Sequence, residues 1–219
     1  MSAPTSREPR RLEREPVTAE QLTIVAANKA SWADLQAVFG TADYPGRCYC
    51  QRYKTYEWLW TSTTEQQRRD GLREETHCDN PRARTTTGLV AYLAKVPVGW
   101  VAVEPRTAYP HLLKSRTVWS GRQEDRTDDG VWAVTCFVVR KGYRRRGITY
   151  GLAAATIDFA RRGGATALEA YPMTTPPGYE ITWGENHVGS RQAFTARTGF
   201  VQVHQPSPRR VVMRIEFAD

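Results

Sequence analysis

Absences bound this chain before any motif does. Its 219 residues hold no apolar run long enough to cross a bilayer and no apolar leader, so neither a membrane span nor a secretory signal is expected. Cysteine is scarce. Cys48, Cys50, Cys78 and Cys136 do not form the framework of a secreted disulfide scaffold, so reduced thiols and a cytoplasmic location are expected. Metal-ligand spacing is lacking as well: Cys48-x-Cys50 has too short a gap for a structural zinc pair, and the neighbours His77 and Cys78 would not easily converge with it. No metal is expected. No RNA-binding motif occurs either, which makes nucleic acid an unfavoured partner.

What remains is globular in composition, 40% hydrophobic and 25% charged, and long enough to bury a proper core. The net charge of +8 suits an anionic ligand but does not by itself separate a small anion from nucleic acid. Residues 1–18 alternate Arg, Glu and Pro with almost no large apolar side chain and read as a disordered tail. Residues 19–219 read as one domain.

The informative stretch runs from Trp132 to Arg162. Trp132 to Val139 is too apolar to alternate cleanly and reads as a strand buried on both faces. Arg140, Lys141, Gly142, Tyr143, Arg144, Arg145, Arg146 and Gly147 follow as a strongly basic turn. From Gly147 the period changes: Ile148, Leu152, Ala155 and Phe159 recur at helical spacing, and Gly163-Gly164 ends the run. A helix N-terminus presents unpaired backbone N–H groups and partial positive charge, which is where a phosphate fits. Gly147 lets a pyrophosphate approach the backbone, and the arginines add bidentate donors.

Other elements can be placed around it. Leu22–Ala26 reads as a strand, Ser31 caps a helix ending at Gly40, and Glu65 to Thr76 is a polar helix. Thr87–Leu93 with Val98–Val103 and Val201–His204 with Val211–Phe217 read as hairpins, while Ala167–Tyr171 is a further strand and Ser190 opens a short helix. The aromatic segment from Tyr44 to Trp60 and the loop from Pro105 to Gly130 show no regular period.

Arg144-Arg-Arg-Gly147-Ile-Thr149 resembles the coenzyme A signature Q/R-x-x-G-x-G/A of the GNAT acetyltransferase superfamily, and it stands between strand and helix as in that family. Thr149 departs from the usual Gly or Ala. The resemblance spans roughly Leu22 to Phe217, and its specific motifs lie in the second half. It implies an α/β (α+β) GNAT fold: a mixed, mostly antiparallel sheet, flanked by helices, with a splayed parallel central strand pair. It further implies acetyl-CoA as cosubstrate, held by Phe137, Val138, Val139, Arg144, Arg145, Arg146, Gly147, Ile148 and Thr149. The reaction implied is direct acetyl transfer to a primary amine, with a small-molecule acceptor such as an antibiotic or amino-acid derivative favoured. A protein lysine or N-terminus, and a non-catalytic acyl-CoA-binding or regulatory role, stay open, as does a homodimer.

For the transfer itself, Glu169 and Glu104 are the candidate bases, because an acid on a core strand is costly unless paired or used. Pairing with an arginine or lysine is the competing account of each. The family's usual tyrosine acid falls on Thr195, so Tyr171 or Tyr150 is the candidate acid, with solvent as the alternative. Asp128, Asp129 and His111 are weaker candidates for the base, and Cys136 reads as a small apolar filler rather than an acyl carrier. The acids Glu104, Asp128 and Asp129 would suit a cationic amine.

Overall fold

The structure, a computed structural model, describes residues 15–42, 45–56, 60–175, 178, 185–195 and 198–218. Seven strands form one sheet in the order β1-β2-β3-β4-β5-β7-β6. They are β1 (Leu22–Ala26), β2 (Leu89–Leu93), β3 (Val96–Pro105), β4 (Val131–Val139), β5 (Ala167–Ala170), β6 (Val201–Ser207) and β7 (Arg210–Glu216). Only β4 and β5 are parallel. This is the mixed, mostly antiparallel sheet that the resemblance implies.

The helices among the described residues are α1 (Trp32–Phe39), α2 (Pro45–Cys48), α3 (Glu65–Thr76), α4 (Pro110–Lys114), α5 (Arg116–Trp119), α6 (Ile148–Arg162) and α7 (Arg191–Thr195). None is long and apolar enough to cross a membrane. Caps set their starts as the sequence indicates: the Ser31 hydroxyl accepts from Asp34 N at 3.1 Å, and Thr64 accepts from Gln67 N at 3.2 Å.

Two apolar layers sandwich the sheet. On one face α6 sets Ile148, Leu152 and Ala160 against Val101, Val134 and Leu168, joined by Phe194 of α7. Gly99 permits that contact, since a Cβ there would lie 3.0 Å from both Ile148 and Leu152. On the other face Leu35, Val38 and Phe39 of α1 pack with Leu72, Trp100 and Val138.

Strand β4 carries the irregularity on which the site depends. Ala102 pairs with Cys136 but Val103 pairs with Val134, so Thr135 is an extra residue with no partner on β3. Such a bulge bends its strand. On its other edge β4 pairs with β5 only from Val131 to Val134, and the two strands then separate. Beyond Val134 that edge faces the 3₁₀ turn Asn186–Val188 instead of a strand.

A buried ion cluster pins the fold where the strands part. Glu169 of β5 is fully buried. Its carboxylate accepts from Arg122 at 2.5 Å, Arg214 at 3.0 Å, Arg106 at 3.4 Å and the Tyr171 hydroxyl at 2.7 Å. The guanidinium groups of Arg106, Arg122 and Arg126 stack on Trp119 at 4.5–5.0 Å. Burial alone would raise the Glu169 carboxyl, but Arg122, Tyr171 and Arg106 together hold it below its ordinary value.

The aperiodic loop from Pro105 to Gly130 is therefore built of short pieces: a 3₁₀ turn (Arg106–Ala108), α4 and α5, which bury Tyr109, Leu112, Val118 and Trp119. Residues 1–14 of the expected tail lie outside the described residues. Val17, near its end, is buried in the main core, and its N–H donates to Arg146 O at 2.7 Å. The last hairpin is tighter than its prolines suggest: Ser207 pairs with Arg210. Pro206 fits within β6 because that strand is the sheet's edge and needs no N–H there.

Removing the Glu169 charge strands three guanidinium groups around a buried amide. Glu169→Gln is expected to cost about 3 kcal/mol in urea unfolding at neutral pH. Because the folded carboxyl titrates below 4.5, the stabilisation is complete above that pH and is lost as pH falls through the folded value. Wild type and Glu169→Gln should accordingly converge in stability on acidification; a gap that stays constant from pH 7 to pH 3 would contradict this account.

Candidate active site

The separation of β4 from β5 opens a cleft at the N-terminal end of α6. Its cavity is about 510 Å³ and is lined by Phe137 and Val139 of β4, the basic turn with Ile148 and Thr149, and Asn186, His187, Gly189 and Ser190 opposite.

The turn is shaped by backbone conformation. Arg145 and Gly147 both take positive φ, +62° and +85°, and Gly147 precedes the first residue of α6 without any side-chain cap. The opening N–H groups of α6 thus meet no capping side chain, and the positive end of the helix faces the cavity. Arg144 is fixed by donation from Nε to Val139 O at 3.1 Å, and the Arg145 side chain is exposed. Glycine at 147 also admits the chain segment behind it, since a Cβ would lie 3.3 Å from Val17 O.

Seven of the nine residues assigned to the coenzyme line this cavity: Phe137, Val139, Arg144, Arg145, Gly147, Ile148 and Thr149. Two do not. Val138 points to the opposite face and packs with α1, as strand alternation requires. Arg146 donates from Nε to Glu15 O at 2.9 Å and holds the N-terminal segment instead.

The residues assigned to catalysis are placed otherwise than expected. Glu169 is enclosed by Arg106, Arg122 and Arg214, with no exposure through which to reach an amine. The Tyr171 hydroxyl is buried and donates its proton to Glu169; burial and then that charge push its pKa well above the ordinary value. Glu104 is paired with Lys54 and accepts from the Thr87 hydroxyl at 2.8 Å. All three are structural partners. Thr195 donates back to Arg191 O at 3.3 Å and does not line the cavity. Asp128 accepts from Gly130 N at 2.9 Å within its own turn.

A set that joins His111, a weaker candidate from the sequence, to His187 and Arg210, which sequence reasoning passed over, sits where the cleft meets the α1 face. The His187 ring lies 5.9 Å from that of Tyr53, which lies 6.0 Å from that of His111. Arg210 lies close enough to the Tyr53 hydroxyl to act on it electrostatically, and its Nη1 donates to Tyr171 O at 2.8 Å. Burial raises the Tyr53 phenol, partly offset by Arg210 and Arg52, so it stays protonated. Cys136 faces the same side and touches Cys50. The aromatic segment thus divides its work: Tyr49 stacks on Phe39 in the core at 5.5 Å, while Tyr53 faces the cleft mouth. Residues 57–59 of that segment lie outside the described residues. Among the described residues, no group of three or more His, Cys, Asp or Glu side chains is placed to hold a metal ion.

Comparison with known proteins bears on the family and the fold. The model of the family described as Acetyltransferase (GNAT) family matches residues 52–175. Among solved structures, a protein proposed to be a phosphinothricin N-acetyltransferase is 14% identical, with TM-score 0.50, 90% of this chain and 99% of that one covered. An acetyltransferase is 20% identical, also with TM-score 0.50, covering 90% and 100%. YncA of Salmonella typhimurium, a proposed acetyltransferase solved with its cofactor acetyl-CoA, is 13% identical with TM-score 0.49, covering 91% and 95%. No curated protein matches significantly.

Gly147→Ala tests the turn directly. A Cβ in the left-handed region costs about 1–2 kcal/mol, and here it also presses on Val17 O. The expected result is a lower unfolding temperature and weaker coenzyme A binding by calorimetry, whereas Arg146→Gln should lower stability with coenzyme A affinity much less affected.

Proposed function

The chain belongs to the acetyltransferase (GNAT) family, and we propose that it transfers an acetyl group from acetyl-CoA directly to the primary amine of a small molecule. The observation that carries this reading is the cleft itself: a positive helix N-terminus behind a glycine turn, next to a strand edge that no partner strand occupies.

The residues fit the cosubstrate. The α6 N-terminus with Arg144 and Arg145 would hold the pyrophosphate. The open edge of β4 beyond Val134 would pair with the amide-bearing arm, and Phe137 would flank it. Thr149 would offer its hydroxyl to a phosphate oxygen where Gly or Ala is usual. Acetyl-CoA supplies the thioester acyl group.

Three demands remain: a neutral amine, a polarised carbonyl and a stable leaving thiolate. For the first we assign His187 as general base in place of the two glutamates, since it lines the cleft and borders the acceptor side at Tyr53. For the second, backbone N–H groups of β4 beyond the Thr135 bulge are suited to hold the developing oxyanion, because among the described residues no neighbouring strand pairs with that edge. The third needs no dedicated acid. A thiol with a pKa of about 8.5 leaves as its thiolate, so threonine at 195 is compatible with turnover.

Two measurements test the reading. Acetyl-CoA and CoA, each at about 100 times its dissociation constant, should stabilise the protein by roughly 2.7 kcal/mol, and ATP should not. His187→Gln should lower kcat about 100-fold or more while leaving that stabilisation in place. Coenzyme binding without transfer to any amine would instead favour a non-catalytic acyl-CoA-binding role.

A further inference from the structure

The acids Glu104, Asp128 and Asp129 would suit a cationic amine, yet Glu104, like Glu169, is spent on an internal ion pair and Asp128 on its own turn. Beside His187, which lines the cleft, stand Tyr53, with His111 beyond it, and Arg210 close to Tyr53.

Arg210 is the unusual member. The antiparallel register pairs Glu169 with Arg214, so Arg210, Val212 and Arg214 share one face of β7 with Glu169 of β5 and with Tyr171 just past its end. Arg214 is used inside, in the Glu169 cluster. Val212 packs in the same small core as Tyr171. Arg210, one step further out, lies where β5 has already left β4. Its hydrogen-bond partner, the Tyr171 carbonyl, is neutral, the Tyr53 hydroxyl lies nearby, and no carboxylate among the described residues forms an ion pair with it. The guanidinium is thus oriented, half-buried and, among the described residues, without a counter-charge. Its fork geometry matches a carboxylate.

We infer that the acceptor carries a carboxylate as well as its amine, and that Arg210 binds this carboxylate while the amine faces His187. The acceptor class is thus an amino acid or a short amino-acid-like compound rather than a polyamine or a cationic amine. The inference rests on the acetyltransferase reading above. Charge discriminates in both directions: the arginine attracts the acid, and the same arginine disfavours a second cationic group on the acceptor.

The experiment compares matched acceptors. The L-α-amino acids are assayed singly with acetyl-CoA by thiol release, each beside its carboxamide and its decarboxylated amine. Thermal unfolding of the CoA complex with each compound is a second readout that needs no turnover. The expected result is at least one acid preferred over its carboxamide by roughly tenfold or more in kcat/KM. Arg210→Gln should remove that preference by raising KM for the acid, with the carboxamide nearly unaffected, and Arg210→Lys should restore part of it. Acetyl-CoA should still stabilise both variants, because Arg210 does not line the coenzyme cavity. The inference is overturned if no acid is preferred over its carboxamide in either readout, or if Arg210→Gln retains the preference. Absence of any acetyl-CoA stabilisation in the wild type would overturn the coenzyme reading, and this inference with it.

Discussion

A carboxylate with no exposure to water, held by three arginines, governs how this sheet is put together. Glu169 sits on β5 opposite Ala133, one residue before the last β4–β5 pair. Its arginines come from the 3₁₀ turn after β3, from the loop before β4 and from β7. The cluster therefore ties together the elements that must stay in place while β5 turns away from β4. A purely apolar contact of similar area could stabilise the region as well, since a buried ion pair repays little beyond its desolvation. What the charges add is direction: fork-shaped donors meet one carboxylate from fixed angles, and Tyr171 is locked by the same oxygen that Arg106 approaches.

Most of the framework is legible in the amino-acid sequence, because its signals are local. Ser31 and Thr64 announce their helices by capping, and the period change at Gly147 marks the passage from strand to α6. What escapes such reading has no period. Helices α4 and α5 are five and four residues long, too short for a 3.6-residue repeat to emerge, and they are held by Trp119 and its arginines rather than by propensity. The β4 bulge at Thr135 is also invisible, since nothing in Val134-Thr-Cys136 distinguishes a paired residue from an extra one.

The turn proposed for the coenzyme was legible in the sequence, and the proposed acceptor end was not. The turn from Tyr143 to Thr149 consists of consecutive residues, so its shape could be read directly. The proposed acceptor end draws on Tyr53, His187 and Arg210, far apart in the chain and brought near one another only by the fold. An acid on a core strand indeed demands an explanation, and for Glu104 and Glu169 that explanation is pairing. A sequence rich in arginine offers many partners, and only the fold reveals which arginines are consumed.

That consumption sorts the chain's excess positive charge by location. Arg106, Arg122 and Arg214 are used around Glu169, and Arg146 is turned toward the backbone of the N-terminal segment. Arg144 and Arg145 line the cleft, while Arg210 lies outside its lining, held at Tyr171 O. In the proposed arrangement an anion at Arg144 and Arg145 would not compete with an anion at Arg210. A reaction that joins a polyanionic donor to an acid-bearing acceptor meets Coulomb repulsion in free solution. Placing cations at both sites would lower that repulsion without putting a charge next to the reacting carbonyl.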